Sequence, residues 1–131
     1  ANAFQNCYAA TSFSSPLATS IGATAFQYCF SATSFSFPLA TSIGATAFQN
    51  CRKLLTVTFG SPSISLVDSY AFDGDYALNS ITFASTVPPA LTSTNAFTLN
   101  SFATIYVPAA SVDAYKAATN WASFSTRIVG Y

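Results

Sequence analysis

Cys7, Cys29 and Cys51 are the natural starting point for any chemistry, because thiols are nucleophiles and metal ligands and these three recur every 22 residues. A zinc or iron site asks for close pairs such as C-x-x-C completed by further Cys or His. The chain contains no His at all. If the period is one coil of a stack, equivalent positions lie about 4.8 Å apart, a separation that does not forbid a disulfide. An odd number of thiols in one column, all pointing the same way, argues for buried free thiols acting as small core groups. A single disulfide is the alternative, and a metal is the least favoured reading.

The carboxylates offer little more. All four acids are aspartates, Asp68, Asp73, Asp75 and Asp113. Asp73-Gly74-Asp75 hints at calcium, yet such a loop supplies six or more oxygens and this run lacks the later acidic ligand of an EF-hand. It reads as an exposed turn. General acid–base work would fall to scattered Asp, Cys or Tyr with no His or Glu to assist. No catalytic residue, cofactor or metal site is expected, and the chain does not read as an enzyme.

Composition narrows the partners. Only 6% of residues are charged, against about a quarter in an ordinary domain, while 51% are apolar. Arg52, Lys53, Lys116 and Arg127 balance the four acids, so no basic stripe exists for nucleic acid or an anionic membrane surface. Ser and Thr interrupt every apolar run well short of the roughly 18 residues a membrane span needs, so no membrane insertion is expected in this segment. Low charge favours self-association at high concentration. The chain begins inside a repeat and has no Met, which leads us to expect a start further upstream.

The elements that must position these side chains are repeats. Residues 1–22, ANAFQNCYAATSFSSPLATSIG, and 23–44, ATAFQYCFSATSFSFPLATSIG, agree at 17 of 22 positions, and a third copy opens at Ala45. A fixed period of this length implies a solenoid, in which each unit is too small to bury its own apolar face and must stack on its neighbours. Phe4, Phe26, Phe48, Phe72 and Phe97 mark five units at spacings of 22, 22, 24 and 25 residues.

Each unit carries a short alternating run: ATSFSSP at 10–16, ATSFSFP at 32–38, LLTVTFG at 54–60, LNSITFA at 78–84 and FATIYVP at 102–108. Aromatic and β-branched residues ending at Pro, Gly or Ala predict one parallel strand per coil. Alternation puts Phe13, Phe35, Val57, Ile81 and Ile105 inside, followed two residues later by Ser15, Phe37, Phe59, Phe83 and Val107. The intervening residues then form an outer hydroxyl ladder: Ser12 and Ser14, Ser34 and Ser36, Thr56 and Thr58, Ser80 and Thr82, Thr104 and Tyr106.

The PLATSIG corners at 16–22 and 38–44 are expected to turn Leu17, Ile21, Leu39 and Ile43 inward, with Gly22 and Gly44 supplying positive φ. AFQNC is too short for an independent helix, so a single helical or 3-10 turn is expected. Pro88-Pro89 stiffens the fifth corner. Pro108 then ends the period, and residues 109–118 carry helix formers with Asp113 early and Lys116 late, matching the macrodipole. Val112, Tyr115, Trp121, Phe124 and Ile128 supply apolar area for a C-terminal cap over residues 109–131, beyond a five-unit solenoid at 1–108. Trp121 reads as core of the cap in preference to a ligand platform.

The repeat A-F-x-x-C-x-x-[L/A]-x-x-[F/V/I]-x-x-P, followed by L-x-T-S-I-G, resembles the BspA-like leucine-rich repeats of bacterial and some protist surface proteins. Ile105 to Trp121, IYVPAASVDAYKAATNW, looks like the segment that often ends such arrays. The resemblance departs at the Leu three residues after Cys, which is Ala10 and Ala32 here and matches only at Leu54 in the third unit. It implies a curved right-handed leucine-rich-repeat solenoid with short helical turns, an extracellular or cell-surface location, and adhesion to host proteins or other cells. It implies no catalytic residues.

The leading functional expectation is a surface-displayed or secreted, non-catalytic module that binds a protein or glycan on host or neighbouring cells through the outer sheet face or a loop edge. Solenoids present long rigid surfaces for this. Tyr8, Tyr28, Tyr70, Tyr76 and Tyr106 are the candidate contact aromatics, because Tyr is enriched where interfaces carry energy. The alternative is a purely structural stalk presenting another domain. A remote alternative is an ice-binding solenoid, for which only Thr56 and Thr58 give a strict outward Thr-x-Thr pair.

Overall fold

The computed structural model describes residues 2–98 and 103–131. Phe102, at the start of the fifth alternating run, lies outside them. Two parallel sheets run the length of the stack. The larger holds β1 (Ser12–Ser14), β2 (Ser34–Phe37), β4 (Thr56–Phe59), β6 (Ser80–Phe83), β8 (Thr104–Val107) and β9 (Ile128–Gly130) in that order. The smaller holds β3 (Ser42–Ile43), β5 (Leu66–Val67) and β7 (Ala90–Leu91). The architecture is a leucine-rich-repeat solenoid with one principal strand per coil, short 3-10 turns and a C-terminal helix.

The register follows the repeat. Phe13 pairs with Phe35, Phe35 with Val57, Val57 with Ile81 and Ile81 with Ile105. Phe35, Val57, Ile81 and Ile105 are fully or almost fully buried, so the alternation puts the apolar column inside as expected. At roughly 1.5–3 kcal/mol per large side chain, this burial offsets the ordering of the coil only once neighbours cover it. The Ala-for-Leu departures are matched within the core: Ala32 accompanies Phe35, whereas Leu54 accompanies Val57 and Leu78 accompanies Ile81. Such exchanges keep the volume of a layer nearly constant.

In the first four units the Ala-Phe segments are not helical turns, whereas the fifth opens with the expected 3-10 turn, Thr94–Ala96. Thr24 (φ 57°) and Tyr28 (φ 62°) sit in the left-handed region on either side of Phe26, as do Asn2 and Asn6, Thr46 and Asn50, and Tyr70 with Gly74. Thr24 and Tyr28 each lie third in a hydrogen-bonded turn, since the Ala25 N–H donates to the Gly22 carbonyl and the Cys29 N–H to that of Phe26, and Asn6, Thr46 and Asn50 are placed likewise. A left-handed third residue is the type II signature and breaks a helix. The amides of Thr24, Phe26 and Tyr28 are thereby freed to donate to Ala45, Ala47 and Gln49 of the next coil at 2.7–3.0 Å.

Two expectations about the corners fail. Among the described glycines only Gly74 has positive φ, so Gly22 and Gly44 do not supply the turn. Gly44 is needed for closeness instead: a Cβ there would lie 2.6 Å from the Ala23 nitrogen of the coil above. Leu17 is 83% exposed and Leu39 is 47% exposed, while Ala40 and Ile64 fill the inner position one residue later. Ile21 and Ile43 do point inward.

Beyond β8, a 3-10 turn (Ala109–Ser111) leads into α1 (Val112–Ala117), and a second 3-10 stretch (Trp121–Arg127) leads into β9. β9 pairs in parallel with β8, Ile105 against Ile128, so the segment after Pro108 adds a further strand to the sheet. That strand is three residues long and carries no Ala-Phe landmark. Tyr115 and Trp121 are fully buried and reach backbone carbonyls of the Pro88-Pro89 corner region, which no further coil covers. Tyr115 donates to Ser85 at 3.0 Å, Trp121 Nε1 to Pro89 at 2.8 Å and Asn120 Nδ2 to Leu91 at 2.6 Å.

Candidate functional site

The parallel register gathers the candidate residues into columns. Ser12, Ser34, Thr56, Ser80 and Thr104 align in one, and Ser14, Ser36, Thr58, Thr82 and Tyr106 in the other. In-register parallel pairing forces equivalent side chains onto one face, and the inward set of each strand is filled by the apolar column. Ser12, Ser14, Ser36, Thr56, Thr58 and Tyr106 are exposed, while Ser34, Ser80, Thr82 and Thr104 are half-buried. Tyr106 pairs in register with the exposed Val129 of β9, so the hydroxyl surface ends in an aromatic and apolar margin. No charged residue stands in either column.

Of the other aromatics, Tyr8, Tyr70 and Tyr76 are exposed and Tyr28 is half-buried. Tyr8 stacks on Phe30 at 5.2 Å between centroids, and the Arg52 guanidinium lies 5.3 Å over the same ring. A guanidinium so placed is attracted by the quadrupole of the ring. These residues follow the Ala-Phe turns and belong to a different edge from the hydroxyl columns. The structure does not bring them together with Tyr106.

The cysteines are free thiols, Cys29 and Cys51 buried and Cys7 partly so. Cys51 Sγ donates to the Phe26 carbonyl and Cys29 Sγ to that of Phe4, at 3.1 and 3.2 Å. The adjoining Cys29 thiol and burial both push the Cys51 thiol up, which keeps it protonated and unreactive.

Asp75 takes the next place in this column, three residues after Phe72 as Cys51 is three after Phe48. It is fully buried, and the reading of Asp73-Gly74-Asp75 as an exposed turn is corrected accordingly. Oδ1 accepts from the Cys51 N–H at 2.7 Å, while Oδ2 has no partner. Burial pushes its pKa well above the usual carboxylate range, and the nearby Asp73 adds to the shift against the Cys51 N–H bond. Alignment to Cys29 and Cys51 is the signal that could have revealed this, since both are fully buried and the same place in the next coil stays buried whatever occupies it.

Asp73 instead ends a side-chain ladder. Gln5 donates to Gln27 and Gln27 to Gln49, each at 2.7 Å, and Gln49 donates to Asp73 Oδ2 at 2.9 Å. Thr98 donates to the other carboxylate oxygen at 2.8 Å. The carboxylates of the Asp-Gly-Asp run thus serve separate structural roles. Among the described residues no group of three or more His, Cys, Asp or Glu is placed to hold a metal ion. Nor is any described helix long and apolar enough to cross a membrane.

A comparison with curated proteins finds no match. The sequence does match the family described as BspA type leucine rich repeat region, in six copies over residues 1–120. The in-register strands, the phenylalanine at a fixed place in every turn and the length of that match lead to one conclusion: the chain belongs to the BspA-type leucine-rich-repeat family.

Proposed function

We propose that this chain is a non-catalytic interaction module, secreted or displayed at a cell surface, whose outer sheet face binds a protein or glycan on a host or neighbouring cell. The observation that carries the reading is the register that aligns Ser12 to Thr104 and Ser14 to Tyr106 on one rigid face. Hydroxyls two residues apart along a strand and one coil apart across it form a lattice of donors and acceptors. A glycan or a polar protein surface meets that lattice without desolvating any charge. Tyr106 and Val129 at its margin supply apolar contact area, and membership of a family of repeat proteins supports an interaction role.

The test is a screen of the immobilised chain against extracellular host proteins and a glycan array, followed by Thr58→Arg and Thr82→Arg. Bulky cations in the middle of the face should remove binding while leaving the far-UV spectrum unchanged. A partner whose affinity ignores both changes would move the site elsewhere.

A second reading, a stalk that presents another domain, draws on the unbroken phenylalanine column. Phe4, Phe26, Phe48, Phe72 and Phe97 stack with centroids 4.9–5.5 Å apart and planes within 12° of parallel. Such a column stiffens the stack lengthwise. On that reading the screen returns no partner and both arginine variants behave as the parent.

A further inference from the structure

The repeat array turns its acids inward and its cations outward. Asp75 is fully buried, Asp73 accepts from Gln49 and Thr98, and Asp68 accepts from Thr92 and from the Ser69 N–H. Arg52 and Lys53 are the only basic residues before the cap, and both are exposed. They belong to the third coil, with described coils on either side. The place four residues after each turn phenylalanine runs Tyr8, Phe30, Arg52 and Tyr76 through the first four coils. Phe30 is stacked by Tyr8 at 5.2 Å, met edge-on by Tyr28 at 5.9 Å and covered by the Arg52 guanidinium at 5.3 Å. The bond from the Cys51 N–H to Asp75 ties the fourth coil to the third here. Tyr76, 64% exposed, therefore follows Arg52 along this edge.

We propose that Arg52, Lys53 and Tyr76 form a docking site for an acidic segment of a partner protein, one that carries adjacent Asp or Glu residues beside an aromatic side chain. Charge complementarity sets the sign of the partner. The acids of the array are engaged within it, so two neighbouring cations are left for a ligand to neutralise. The contact with Phe30 holds the guanidinium while its forked N–H donors stay open to a bidentate carboxylate. A side chain already held in this way loses less freedom when a ligand arrives. Arg and Tyr are also the residue types that carry much of the energy at protein interfaces. Cations on consecutive residues suit contiguous carboxylates, which a peptide provides. An acidic polysaccharide in which uronates alternate with neutral sugars does not present its carboxylates side by side. The site lies on a different edge from the hydroxyl columns, and it stands or falls independently of the reading of the outer sheet face.

The experiment is a fluorescence-anisotropy titration of the 131-residue chain into a labelled peptide of four consecutive glutamates flanked by phenylalanines. The same peptide with glutamines in place of the glutamates and a labelled hyaluronan oligosaccharide run in parallel. The glutamate peptide should bind saturably, more weakly as salt is raised, and roughly tenfold more tightly than the glutamine peptide. Arg52→Gln should cost roughly tenfold in affinity, while Lys116→Gln, which removes the same charge from the exposed face of the cap helix, should cost nothing. Absence of saturable binding, equal affinity for the two peptides, or equal losses from R52Q and K116Q would each overturn the proposal. Tighter binding of the hyaluronan oligosaccharide would overturn it in favour of an acidic glycan. If R52Q does not fold, Lys53→Gln and the ratio of the two peptides on the parent chain still decide it.

Discussion

The indole of Trp121 meets the ring of Phe83 edge to face, with centroids 5.5 Å apart and planes at 88°. Its other flank lies 5.7 Å from Phe97. One side chain therefore closes two columns of rings, the strand column ending at Phe83 and the turn column ending at Phe97. Edge-to-face contact suits this place, because it ends a stack without presenting another open face.

Trp121→Ala should be the most damaging single change in the cap. It removes a fully buried side chain and strands the Pro89 carbonyl, so we expect a loss of about 3–5 kcal/mol. Urea unfolding followed by circular dichroism measures it. A loss under about 1 kcal/mol, within the range of surface changes or little beyond it, would show that the cap is not closing the core.

The two faces of the sheet should respond oppositely to truncation. Phe35→Ala or Ile81→Ala should cost about 2–5 kcal/mol as core truncations. Ser34→Ala and Thr82→Ala should stay within about 0.5 kcal/mol. Equal losses from both sets would contradict the face assignment.

Asp75 makes stability depend on pH in an unusual direction. Its folded pKa is raised by burial, so the folded state holds the proton more tightly than the unfolded chain, whose Asp titrates near 3.9. The contribution is fully present below about pH 4 and falls as pH rises, by up to about 1.4 kcal/mol per unit, until the folded pKa is reached. Asp75→Asn should remove this slope. Asp75→Cys should also remove it while continuing the thiol column. Unfolding midpoints between pH 4 and pH 8 test this, and a parent profile as flat as that of D75N would refute it.

The thiols should react in order of burial. Cys7 is partly accessible, whereas Cys29 and Cys51 are wholly buried and donate to backbone carbonyls. A thiol reagent should label Cys7 first in the native chain and reach the others only on unfolding. Reductant should leave the thermal midpoint unchanged. A downward shift with reductant would reveal a disulfide.

Much of the fold is legible because the first two units are near copies: identical spacing fixes the register, and alternation within ATSFSFP fixes which face is inside. Legibility fades where position in the column outweighs residue type. Asp75 looks like a surface residue in isolation and is buried because it inherits the place of Cys51. Thr24 and Tyr28 give no hint of left-handed backbone, whereas Asn2 and Asn6, at the same places one coil earlier, do. Leu17 and Leu39 mislead because the chain turns at Pro16 and Pro38, which resets the inward phase by one residue. β9 escapes notice because Ile128–Gly130 is too short to show a period.

The ladder from Gln5 through Gln27 and Gln49 to Asp73 also has a direction. Gln27 and Gln49 each give one hydrogen bond forward and accept one from behind, so a duplicated 22-residue unit slotted between Gln5 and Gln49 inherits both partners and leaves no amide orphaned. A carboxylate only accepts, and Asp73 is met from both sides, by Gln49 and by Thr98. It works as a terminus in the grammar of the array. Upstream of Asp73 the gene can lengthen or shorten by whole units at little structural cost, while the coils between Asp73 and the Trp121 cap are a fixed ending that duplication would interrupt.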